Sequence, residues 1–208
     1  MAFAPVMRTD EHHVEKHERI LKMKEKKIEV VFLGDSLTRR WEDYEHVWDK
    51  YFAKYHPVNF GVGGDCIQNV KWRILNQELD GIAPRVLILL IGTNNLPTNT
   101  VDEIVSGIED LVEIVRSKLP DTKLLLLGLL PRNPDDQGID YNARIVEINQ
   151  KLRTCCVNEQ IYFAEISGVL PQKDGKVDSS VMPDGLHLND HGYELIGPEL
   201  VRYIEELW

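Results

Sequence analysis

Apolar positions in this chain fall into two textures. Short continuous runs at residues 28–33, 58–60, 85–91, 123–129 and 161–166 are rich in Val, Ile, Leu and Phe. Runs of that length without alternation predict parallel strands covered on both faces. Between them the apolar period changes to that of a helix. Thr100 and Glu103 form a capping-box pair ahead of a stripe of Ile104, Val105, Ile108, Leu111, Val112 and Val115, which Pro120 ends. Further helices are predicted over 41–55, 67–77 and 141–156. A last one carries Leu195, Ile196, Leu200, Val201 and Ile204, capped by Asn189 or Asp190 and kinked at Pro198. Residues 11–26 read as an amphipathic lead-in helix.

Strands alternating with helices over short connections predict an α/β fold. The expected architecture is a three-layer α/β/α sandwich around a five-stranded parallel sheet in the flavodoxin-like order 2-1-3-4-5. A chain of 208 residues suits one such core and is short for two. The expected division is a lead-in helix at 1–27 and a single domain at 28–208, with no repeat or Pro/Gly/Ser-rich linker between them.

Composition narrows the partners. With 24 Lys and Arg against 34 Asp and Glu the net charge is −10, which argues against nucleic-acid binding through a general electrostatic footprint. No apolar run approaches the roughly 18–20 residues of a membrane span, so no stable membrane insertion is expected. The first residues lack the charged-then-apolar pattern of a signal peptide. Cys66 and the adjacent pair Cys155 and Cys156 make a poor disulfide framework, which predicts a reducing, cytoplasmic compartment.

In a doubly wound sheet, ligands bind beyond the carboxyl ends of the strands. Gly34-Asp35-Ser36-Leu37 follows the first strand, Gly61-Val62-Gly63-Gly64-Asp65 the second and Gly92-Thr93-Asn94-Asn95 the third. Asp184-Gly185-Leu186-His187 precedes the last helix. Together these segments contain a complete nucleophilic device. A serine hydroxyl needs a histidine to take its proton, and the histidine needs a carboxylate to fix its tautomer. Ser36, His187 and Asp184 are the candidates. The N–H groups of Ser36 and Gly64 and the side-chain amide of Asn94 are the candidate donors to an oxyanion.

Those blocks, in that order, resemble the GDSL or SGNH hydrolase superfamily. The resemblance implies Ser36 as nucleophile, Gly64 and Asn94 in the oxyanion hole, Asp184 and His187 completing a triad, and a structural role for Asp35. Within the superfamily, the stretches 58–65, 70–73, 92–95 and 127–132 resemble the catalytic subunits of type Ib platelet-activating-factor acetylhydrolase. That likeness implies a small acyl-ester substrate and association as a homodimer. The expected activity is a serine esterase that removes a short acyl group, acetyl first, through an acyl-enzyme intermediate, with no metal or organic cofactor. Leu37, Thr93 and Leu186 neighbour the catalytic positions and are expected to line the acyl pocket.

Other readings of the same residues exist. Ser36 alone suits a helix N-cap, Asn94 beside Asn95 suits a turn, and Asp65 suits a cap on the helix that follows it. Asp184, His187 and His191 have the spacing of a metal site, but a cap at 189–190 separates His187 in a loop from His191 in a helix. His12, His13 and His17 read as a solvated face, and Cys66 as a small buried filler. Gly61–Gly64 on such a sheet also suits a non-catalytic phosphate- or flavin-binding protein, although dinucleotide and phosphate-loop spacings are missing. A carbohydrate O-acetylesterase on the same scaffold is the alternative within the hydrolases.

Overall fold

A computed structural model describes residues 3–155, 159–174 and 176–208. Five parallel strands, β1 (Val30–Gly34), β2 (Pro57–Gly61), β3 (Val86–Leu90), β4 (Lys123–Leu127) and β5 (Ile161–Ala164), form one sheet in the order β2-β1-β3-β4-β5. This is the expected order, and each expected run contains one strand. β3, β4 and β5 are shorter than the apolar runs that predict them, whereas β2 extends one residue beyond its run at each end and β1 ends one residue later, at Gly34.

The side chains of each strand alternate between two cores. Val31, Leu33, Phe60, Leu87, Leu89, Leu124 and Leu126 face an aliphatic layer supplied by α1 (Glu11–Met23), α4 (Ile67–Arg73), α5 (Val101–Lys118) and α6 (Asn142–Cys155). Val30, Phe32, Val86, Ile88, Leu125 and Leu127 face the opposite layer, made by α2 (Ser36–Arg39), α3 (Glu45–Phe52) and α7 (Asp190–Leu207). That second layer is aromatic: Phe32, Trp41, Trp48, Phe52 and Tyr193 meet through ring centroids 4.4–6.1 Å apart.

Several expected elements differ in detail. The helix over 41–55 divides into a tight turn at Arg40–Asp43, α3, and a second turn at Ala53–Tyr55. The helix over 67–77 is regular only to Arg73. Beyond it, Ile74–Glu78 is an irregular turn in which Gln77 has φ 78°. α7 runs unbroken across Pro198, and the Tyr51 hydroxyl approaches the Glu194 carbonyl at 3.4 Å, which the proline leaves without its usual amide. Asn189, not Asp190, caps that helix. A small antiparallel pair, β6 (Gln172–Lys173) with β7 (Lys176–Val177), has no counterpart in the sequence reading. Cys156, expected at the end of α6, lies outside the described residues. Among the described residues no helix is long and apolar enough to cross a membrane.

The lead-in helix is not a solvated appendage. His13 and Ile20 are fully buried and Lys16 nearly so, with the His13 and His17 rings against Trp72. His17 Nδ1 bonds Glu78 Oε1 at 2.8 Å, and Lys16 pairs with Glu42. The expectation of a solvated histidine face holds for His12, which is exposed, and fails for His13 and His17, which α1 seats on Trp72 and the irregular turn after α4.

Candidate active site

Ser36 is the first residue of α2, immediately beyond the end of β1. The helix can start there because Asp35 caps it: its Oδ1 accepts the Leu37 N–H at 2.9 Å. Asp35 thereby takes the capping position that Ser36 alone suited, which leaves the Ser36 hydroxyl free of the helix. At Gly34 any Cβ would stand 2.2 Å from the Leu90 carbonyl and 2.3 Å from Thr38 Oγ1, so glycine is what lets α2 pack directly over the strand ends. Tyr193 Oη donates to the Leu37 carbonyl at 2.7 Å and Asn59 Nδ2 to that of Thr38 at 2.8 Å, bracing α2 from both sides.

His187 reaches Ser36 from the loop before α7. Its Nε2 lies 2.9 Å from Ser36 Oγ and its Nδ1 lies 2.7 Å from Asp184 Oδ2. The other Asp184 oxygen accepts the backbone N–H groups of His187 at 2.6 Å and Leu186 at 3.0 Å. Burial works against ionisation of Asp184, but those two amides and the imidazole outweigh it and hold its carboxyl down at about 2. A carboxylate on Nδ1 keeps the ring proton there and leaves the Nε2 lone pair for the serine hydroxyl. Both ring nitrogens are thus engaged within the Ser36–Asp184 line. His191 lies apart, exposed on α7, and no cluster of three or more metal-ligating side chains exists among the described residues.

Gly64 and Asn94 lie on the loops after β2 and β3, strands that flank β1. Gly64 has φ 79°, a left-handed conformation natural to glycine. Asn94 Nδ2 donates to the Asp65 carbonyl at 2.8 Å, and Cys66 Sγ lies 3.6 Å from the Asn94 carbonyl, so the two loops are joined. Asn95 turns the other way. It is fully buried, with Oδ1 on the Ile67 N–H and Nδ2 on Gln68 and Asn99. Of the two neighbours, Asn94 is the one left partly exposed.

Asp65 does not cap α4, as its sequence position suggests. Cys66 is the cap residue, with its N–H on Asn69 Oδ1 at 2.8 Å. The Asp65 carboxylate is instead fully buried between Arg73 Nε at 2.8 Å and Arg8 Nη1 at 3.0 Å. Arg73 is fully buried as well. It also pairs with Glu78 and donates to the carbonyls of Gly34 and Phe60, the ends of β1 and β2. Beside this cluster, burial pushes the Asp35 carboxyl up to about 7, and the negative charge of Asp65 adds to the effect. Cys66 is half-buried, and burial together with the charges of Asp65 and Asp35 pushes its thiol up.

The three expected acyl-pocket residues separate. Leu37 is 4% exposed within the aromatic core, among Phe32, Trp41 and Leu188, and presents almost no surface above the site. Thr93 is buried with no partner for its hydroxyl among the described residues. Leu186 is partly exposed on the turn that carries His187. A surface concavity of about 720 Å³ lies elsewhere, between α1 and the α2–α3 segment, and is lined by none of Ser36, Asp184 and His187. Its Arg19 and Arg39 are already paired with Glu42 and Asp43.

A model of the GDSL-like lipase/acylhydrolase family matches residues 32–195, the span from β1 to α7 that contains Ser36, Gly64, Asn94, Asp184 and His187. The chain belongs to that family. It is a carboxylic ester hydrolase. Among similar proteins, human platelet-activating factor acetylhydrolase IB subunit alpha2 is 34% identical over 200 residues, covering 95% of this chain and 86% of that one. The human alpha1 subunit is 33% identical over 178 residues, covering 85% and 75%. A solved GDSL-like lipase from Bacteroides thetaiotaomicron superposes with a TM-score of 0.74 at 17% identity, covering 92% of this chain and 98% of that one, a likeness of fold. Arg8 lies in no motif of the sequence reading, and Arg73, within the stretch 70–73, received no role there, because their meeting at Asp65 exists only in space.

Proposed function

We propose that this acylhydrolase is a serine esterase that removes a short acyl group, acetyl first, through an acyl-enzyme intermediate. The observation that carries the reading is the continuous hydrogen-bonded line from Ser36 Oγ through His187 to Asp184, at 2.9 and 2.7 Å. Ser36 attacks the ester carbonyl while His187 Nε2 takes its proton. The tetrahedral oxyanion is held by the N–H groups of Ser36 and Gly64 and by the second amide proton of Asn94. His187 then protonates the departing alkoxide, and a water activated by the same nitrogen releases the acid. Asp184 fixes the ring and stabilises the imidazolium formed in between.

The acetyl preference follows the named activity of the alpha1 and alpha2 relatives. Leu186, at the rim, is the one expected acyl-pocket residue with surface to offer, while Leu37 and Thr93 would act from beneath. Lengthening the acyl chain by a methylene changes discrimination by about 1–3 kcal/mol where a pocket is closed. The same reading goes with a cytoplasmic homodimer, to be tested by fractionation and by sedimentation.

Hydrolysis of p-nitrophenyl acetate, butyrate and octanoate by the wild type and Ser36→Ala tests the proposal. Acetate should give a burst that disappears in the mutant, with octanoate turned over slowest. Undiminished turnover by Ser36→Ala would remove the proposed nucleophile, and equal rates on all three esters would remove the short-acyl pocket.

A further inference from the structure

We propose that Arg8 and Asp65 are positioning residues for the oxyanion hole, so that the arm ahead of α1 sets the geometry of the catalytic strand ends. The inference rests on the reading of Gly64 and Asn94 as oxyanion donors. Arg8 Nη1 donates to the Gly63 carbonyl at 2.6 Å and to Asp65 Oδ1 at 3.0 Å. The Gly63 carbonyl and the Gly64 N–H belong to one planar trans peptide and point in opposite directions. Pinning that oxygen from the arm side therefore aims the Gly64 N–H at the other side of the loop. The guanidinium also lies within 3.1 Å of where a Cβ on Gly64 would stand, so it packs on the peptide that it pins.

Asp65 extends the same control to the second donor. Its carboxylate is clamped between Arg8 and Arg73, while its carbonyl accepts Asn94 Nδ2 at 2.8 Å. With one amide proton held there, the remaining proton of Asn94 has a fixed direction. A single residue thus follows one oxyanion donor in the chain and orients the other across it. Arg73 also bonds Asp65 but shares its charge with Glu78. What Arg8 alone adds is the bond to Gly63.

Arg8 is held as a strut, because four of its five N–H groups are engaged within the protein. Nε and Nη2 go to Asp10 at 2.9 and 3.2 Å, and Nη1 is shared by Gly63 and Asp65. Asp10 in turn caps α1 through the His13 N–H at 3.1 Å. Ahead of Arg8 the arm is tied to α4 by Val6 N–H on the Gln68 carbonyl, Asn69 Nδ2 on the Val6 carbonyl and Lys71 Nζ on the Phe3 carbonyl, all at 2.9–3.0 Å. The strut is anchored on both sides.

The test measures kcat and KM for p-nitrophenyl acetate in full-length Arg8→Met and Arg8→Lys, beside Ser36→Ala and Asn94→Ala, with thermal midpoints for all. Loosening an oxyanion donor without removing it should cost Arg8→Met about 10- to 100-fold in kcat, less than Asn94→Ala, with KM moved less than about threefold. Arg8→Lys keeps a cation for Asp65 but cannot fork to Asp10 and Gly63 together, so its kcat should lie between those of Arg8→Met and the wild type. Wild-type kcat in a folded Arg8→Met, or a change confined to KM, overturns the proposal. Should Arg8→Met fail to fold, Arg8→Lys decides in the same way, unchanged kcat overturning it. If Ser36→Ala or Asn94→Ala is itself fully active, the underlying reading of the site has failed, which is a separate result.

Discussion

Ser36, Gly64 and Asn94 hang on three adjacent strand ends braced by buried charge, whereas Asp184 and His187 sit in a turn whose bonds are made largely within itself. The contrast is sharpest between two aspartates. The side chain of Asp65 is fully buried between two arginines, while that of Asp184 is 48% exposed and held by the amides and ring of residues two and three positions away. On the proposed reading of Ser36, Gly64 and Asn94 as oxyanion donors, which act only when fixed before the charge develops, it follows that this side is built into the sheet and its buried ion network. An aspartate that must stay ionised beside an imidazole gains from partial solvation, and short-range amide bonds keep it charged without a tertiary counter-ion.

Four outcomes would break or sharpen that contrast. The largest is expected at the nucleophile, where Ser36→Ala should lower kcat by on the order of 10³-fold or more. Steady-state and burst kinetics on p-nitrophenyl acetate check it. Next comes stability. Arg73→Met leaves Asp65 and Glu78 buried without their shared cation and should cost about 3–5 kcal/mol in urea denaturation. Asp184→Asn, on the exposed side, should shift the midpoint less than Arg73→Met does while greatly reducing activity. Equal destabilisation by the two would erase the distinction.

Asn94→Ala should lower kcat by roughly 10²–10³-fold with little change in KM, the signature of a donor used in the transition state. A loss appearing only in KM would make Asn94 a ground-state binder. The smallest effect is a pH slope. Asp35 is pushed up to about 7 in the folded chain from an ordinary value of 3.8. Its contribution to stability is therefore complete below about pH 4 and is lost as the pH rises through 7. Asp35→Asn, which keeps an oxygen to cap α2, should flatten that part of the stability profile; identical slopes in the two proteins would assign the titration to another group.

Legibility in the sequence followed the same division. Asp184 and His187 are three residues apart and their bond is local, so chemistry and spacing are enough to pair them. The five apolar runs likewise mark five strands, because a strand covered on both faces has little room for polar side chains. His13 and His17 on α1 were misread because amphipathic period says which side of a helix is apolar, whereas their rings are covered by Trp72 and the neighbouring Lys16 by its ion pair with Glu42. Asp65 was misread because a carboxylate beside a helix start looks like a cap until Arg8 and Arg73 are brought to it.

The sequence by itself determined the α/β class, the five strands and the residue types of the serine device, since these depend on local period and on chemistry that few side chains perform, and the strand order was expected from that fold class. Only the tertiary structure decided that Leu37 faces the core, that Asn94 and not Asn95 keeps an exposed amide, and that an arginine 55 positions before Gly63 pins its carbonyl. Those outcomes depend on which surfaces meet when the helices close over the sheet, and contacts between distant parts of a chain leave no period or motif along it.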